Sequence, residues 1–67
     1  MATMKVLEIL SESTESFEAA CQAGLTKASE SVRGITSAYV KEQSVTCGDD
    51  GAIAKYRVNL KITFAVQ

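Results

Sequence analysis

The sequence predicts a single α+β domain with the order strand, helix, strand, strand. Three observations predict it. The apolar period is close to two at both ends of the chain and close to 3.6 in between. Gly48-Asp49-Asp50-Gly51 separates two long β-rich runs, and Asp-Gly supplies the positive φ that a hairpin turn needs. Finally, 67 residues are enough for one domain only, spanning 1–67.

Lys5 to Leu10 is a short aliphatic run with one internal charge, and it predicts the first strand. Ser11 to Ser16 is a polar block. Ser13 is the expected helix N-cap, with Glu15 and Glu18 near the positive end of the helix dipole. From Thr14 to about Arg33, the residues Phe17, Ala20, Cys21, Gly24, Leu25, Ala28 and Val32 follow the i, i+3, i+4, i+7 rule. This inner stripe is built of small residues, so the helix can approach a sheet closely. Arg33 and Gly34 mark its C-terminal end.

Ile35 to Cys47 predicts the second strand. Ala38 and Val40 alternate there with Ser37, Tyr39 and Lys41, so the even positions face inward. The alternation weakens after Glu42, where a bulge or bend is expected. Ala52 to Val66 is the clearest element. Ala54, Tyr56, Val58, Leu60, Ile62, Phe64 and Val66 alternate with Lys55, Arg57, Asn59, Lys61 and Thr63. The helix then links two parallel strands by a right-handed crossover. The last strand returns antiparallel between them, as a split βαβ sheet.

The lengths carry a consequence. A helix of about 20 residues spans roughly 30 Å. Strands of about 13 to 15 residues span roughly 43–50 Å. One helix cannot cover that sheet, and apolar positions at the overhang, such as Phe64 and Val66, need another cover. The expected cover is a second copy of the chain, which makes a homo-oligomer. Size points the same way, because a chain this short buries only roughly 60% of its unfolded surface.

Composition narrows the function. The chain is 46% apolar with a net charge of −1, and it has no histidine, proline or tryptophan. Without histidine the commonest general base and every Ser-His or Cys-His pair are missing, and no Gly-rich phosphate loop is present, so an enzyme is not expected. Seven basic residues against eight acidic ones leave no basic footprint for nucleic acid or an anionic membrane. The run Val6 to Leu10 is too short for a secretory segment, and no stretch approaches the roughly 20 apolar residues of a membrane span. A soluble, cytoplasmic chain is expected. Cys21 and Cys47 are then reduced thiols, at a spacing that matches no metal or redox motif. The Asp-Asp-Gly loop lacks the ligand series of an EF-hand and reads as a turn.

At this level the residues resemble a known family. Lys5-Val6-Leu7-Glu8-Ile9-Leu10, the Ser-rich block leading to Ser16-Phe17-Glu18-Ala19-Ala20, Val40-Lys41-Glu42, and Tyr56 through Phe64 are similar to the dodecins over essentially the whole chain. The resemblance implies a β-α-β-β fold whose three-stranded antiparallel sheet wraps one helix, assembled as a hollow homododecamer. It also implies binding and storage of a flavin (FMN or riboflavin) at subunit interfaces. In the best-known members a tryptophan on the second strand stacks on the flavin ring and a glutamine on the third strand binds the ring edge. The matching positions here are Ser37 and Arg57. Serine offers no π-face, whereas Arg57 can stack its guanidinium plane or meet a phosphate. Tyr39, two residues on, can lend an aromatic surface, and Glu42 corresponds roughly to an acidic position near the ligand.

Some dodecin-like proteins without the tryptophan bind calcium instead. The carboxylates available for that are Glu8, Glu12, Glu42, Asp49 and Asp50. Calcium takes 6–8 oxygens, so only an oligomer can gather them. A flavin-binding shell, a calcium- or ion-binding shell and a purely structural oligomer are the three readings left open.

Overall fold

A computed structural model describes residues 2–66. The elements are β1 (Met4–Ser13), α1 (Phe17–Ser29), β2 (Ile35–Cys47) and β3 (Ile53–Ala65). The sheet order is β1-β3-β2, with β3 antiparallel to both neighbours. This is the split βαβ arrangement that the sequence predicts.

The alternation of β3 places Val58, Leu60 and Ile62 inward, and all three are fully buried together with Ala20 of α1. Leu7 and Ile9 of β1 pair with Ile62 and Leu60 and join the same core. Phe17, Cys21, Leu25 and Ala28 complete it from the helix. The small stripe acts as expected at Gly24. A Cβ built there would lie 3.0 Å from both Leu60 Cδ1 and Ser11 Cβ, and 3.2 Å from Ile9 Cδ1.

Two boundaries differ from the sequence expectation. The helix begins at Phe17 and is capped by Ser16, whose hydroxyl accepts from the Ala19 amide at 2.9 Å. Ser13 is not the cap. It still pairs with Tyr56 as the last residue of β1, and its hydroxyl accepts from the Glu15 amide at 3.0 Å, which turns the chain toward the helix. Sheet pairing continues through Ser13, so the helix starts later. At the other end α1 stops at Ser29, where Glu30 is the C-cap. Gly34 has φ 77°, and its carbonyl accepts from the Ala65 amide at 3.0 Å, so it starts β2 rather than ending the helix.

The hairpin closes as predicted. Gly51 takes φ 82°, Gly51 N–H donates to the Gly48 carbonyl, and the Asp50 carboxylate accepts from the Ala52 amide at 3.0 Å. β2 carries register shifts at three places; the one nearest the bulge expected after Glu42 lies just before that residue, between Val40 and Glu42.

With 13 residues the helix is shorter than expected, about 20 Å, while the molecule is 52 Å long. α1 lies over β1 and β3 and barely reaches β2. Val40 and Val45 on the inner side of β2 are therefore exposed. Val66 at the overhang is 49% exposed, and Phe64 beside it is half-buried.

Candidate functional site

The four residues singled out by resemblance lie on the side of the sheet away from α1. Side chains of a strand alternate between faces, and residues paired across a ladder share one. Ser37 pairs with Thr63, Tyr39 with Lys61, Glu42 with Asn59, and Arg57 with Ser44. These β3 partners are the odd positions, opposite in facing to Val58, Leu60 and Ile62. Glu42 is an even position and would face inward in an unbroken strand. The register shift at Val40/Glu42 leaves Lys41 unpaired and turns Glu42 outward with Ser37 and Tyr39.

The face is accessible at Tyr39, which is 66% exposed. Its charges are largely matched in pairs across the strands. Lys41 Nζ reaches over β3 to Glu8 Oε2 at 3.4 Å. Glu12 receives two cations, Arg57 Nε at 3.1 Å and Lys55 Nζ at 3.8 Å. Each pair is partly solvent-exposed and worth no more than about 1 kcal/mol. The Arg57 Nε contact is close but off the line of its N–H, and that buried N–H donates to no acceptor among the described residues. Lys61 lies between Tyr39 of β2 and Glu8 of β1 on the same face and makes no ion pair within 4.0 Å among the described residues, so Tyr39 presents an aromatic ring beside a cation.

The site residues do not all converge within one chain. Ser37, Tyr39 and Glu42 lie toward one end of β3, at the level of Thr63 to Asn59. Arg57 lies six positions from Thr63, which is about 20 Å along the strand. A single planar ligand reaches Ser37 and Arg57 together only if the two come from different copies. Sequence reading missed Glu12 as the partner of Arg57 and Glu8 as the partner of Lys41. Alternation tells which residues share a face, but the pairing of carboxylate with cation depends on the β1–β3 register, which a non-local pairing decides.

The candidate calcium carboxylates are spread out. Glu8, Glu12 and Glu42 are on the outer face, and Asp49 and Asp50 are at the hairpin tip. Among the described residues no three such groups gather in one place. No helix is long and apolar enough to cross a membrane.

Comparisons with known proteins agree with this geometry. A family model described as Dodecin matches residues 3–67. Among solved structures, an arginine-to-alanine variant of the Thermus thermophilus dodecin is 33% identical with TM-score 0.92, covering 100% of this chain and 98% of that one. The dodecin of Streptomyces coelicolor is 26% identical with TM-score 0.93, covering 98% of this chain and 93% of that one. A calcium dodecin from Mycobacterium tuberculosis, described as calcium-chelating with a novel calcium-binding site, is 32% identical with TM-score 0.85, covering 98% and 93%. A search of the curated proteins finds no match.

Proposed function

The chain belongs to the dodecin family, and from that premise we propose that it builds a hollow homododecameric shell that binds and stores a flavin-type ligand without turning it over. Shape is the observation that carries the assembly. The radius of gyration is 13.7 Å, against about 11 Å for a compact domain of this length. The accessible surface is 4788 Å², against about 4,100 Å² for a compact monomer of this mass. A chain this extended, with one helix covering two of three strands, is a part of something larger.

The ligand surface is the outer face of the sheet. Tyr39 supplies the aromatic plane in place of the residue lost at Ser37. Lys61 faces any anionic group on the ligand, and Arg57 comes from a second copy. Glu42 borders the same patch. The missing indole removes a stacking contact worth ~1–3 kcal/mol, so flavin is held about tenfold to a hundredfold more weakly than by a tryptophan-bearing site.

Calcium is the second reading, favoured by the likeness to the calcium dodecin and by Glu8, Glu12 and Glu42 sharing one face. Two titrations of the purified assembly separate the readings. Riboflavin fluorescence is expected to fall on addition of protein, at micromolar or weaker affinity, and calorimetry with calcium is expected to be silent. Unquenched riboflavin together with heat on calcium addition would replace the first reading by the second. A shell confined to the interior of a cell, with no nucleic-acid or membrane partner, is the setting this role requires.

A further inference from the structure

Toward the hairpin, the outer face carries a second cluster, away from Tyr39. Arg57 and Lys55 of β3 pair with Ser44 and Thr46 of β2. Paired side chains stand about 5 Å apart across the ladder, and alternate residues about 7 Å apart along a strand. The four therefore mark the corners of one small rectangle, with two cations on one side and two hydroxyls on the other. We propose that this quartet binds a tetrahedral oxyanion of the phosphate or sulfate class, a site beyond the ligand patch at Ser37 and Tyr39.

Unused donors support it. No side-chain hydrogen bond among the described residues involves any of the four. Arg57 Nε is fully enclosed and donates to no acceptor among them. A buried donor left unpaired costs stability, and an oxyanion oxygen removes that cost. The planar guanidinium can meet two oxygens of one phosphate at once, and the Ser44 and Thr46 hydroxyls can donate to the others. Charge agrees. Among the described residues Glu12, on the β1 side of Arg57, is the carboxylate paired with either cation, at 3.1 Å from Arg57 Nε and 3.8 Å from Lys55 Nζ. Two cations against one carboxylate leave one positive charge at the rectangle. The Asp50 carboxylate nearby is turned onto the Ala52 amide instead.

The ³¹P resonance of inorganic phosphate, recorded with the assembled protein at an ionic strength held constant with chloride, tests this. Wild type is expected to broaden the line saturably. Arg57→Gln is expected to weaken that binding about tenfold or more. Ser44→Ala combined with Thr46→Val is expected to weaken it several-fold with no change in charge. Lys27→Gln, the same charge change on the exposed side of α1, is expected to leave it unaltered. No saturable broadening by wild type, or a loss in Lys27→Gln equal to that in Arg57→Gln, would overturn the site, the second because net charge alone would then explain the binding. Competition identifies the source of the oxyanion. Displacement of phosphate by FMN and not by riboflavin assigns it to a ligand's phosphoryl tail, and displacement by neither assigns it to a free ion. Displacement by riboflavin would show that the quartet holds the ring, and would overturn a separate anion site.

Discussion

Ser37→Trp is expected to bind riboflavin about tenfold to a hundredfold more tightly than the wild type. Ser37 is exposed on the outer face of the sheet, pairs with Thr63 and packs on nothing in the core. An indole there costs the fold little and restores a stacking surface worth ~1–3 kcal/mol per ring. Fluorescence quenching of free riboflavin reads the change directly. Ser37→Leu is the necessary control, because it adds apolar area without a π-face and is expected to gain far less. Arg57→Gln combined with Ser37→Trp is expected to add a smaller gain, since it releases only a half-buried contact with Glu12 at 3.1 Å. Equal affinity for the tryptophan and leucine variants would mean that this face does not hold the ring.

Gly24→Val is expected to destabilise the fold by about 3 kcal/mol, the upper end of the overpacking range. Gly24 sits where α1 approaches the sheet most closely. A first carbon there already meets Leu60 Cδ1 and Ser11 Cβ at 3.0 Å and Ile9 Cδ1 at 3.2 Å. Two further methyl groups have no space on any of these sides. A domain of 67 residues is stabilised by only roughly 3–10 kcal/mol, so the loss is from about a third to all of the total. Gly24→Ala is expected to cost less, because about 1 kcal/mol of helix propensity offsets part of the crowding. Urea unfolding at one fixed protein concentration measures both, since assembly makes stability depend on concentration. A valine variant as stable as the wild type would show that α1 does not lie this close to β1 and β3.

Where the sequence is periodic, it specifies the structure closely. Val58, Leu60 and Ile62 are buried as their alternation requires, and Ala20 and Gly24 are the buried residues of the helical stripe. Signals that compete were harder to read. Ser13 and Ser16 are both good caps by chemistry, and only the extension of β1 to its pair at Tyr56 decides between them. The facing of Glu42 depends on the register shift beside Lys41, which the weakened pattern announces without fixing which residue drops out. The outer face was legible as Ser37, Tyr39 and Arg57 because two-residue periodicity needs no partner strand. Its ion pairs were not, because Glu8 lies 33 residues from its partner Lys41 and Glu12 comes from a strand more than forty residues away in the chain from Lys55 and Arg57.

The central claim is that this single helix-and-sheet layer is completed by copies of itself. Light scattering on the purified chain, coupled to size exclusion, tests it most directly. Twelve chains of 7.1 kDa give a particle of about 85 kDa, and that mass is expected to hold across dilution. A concentration-independent mass of one chain, 7.1 kDa, would contradict the account.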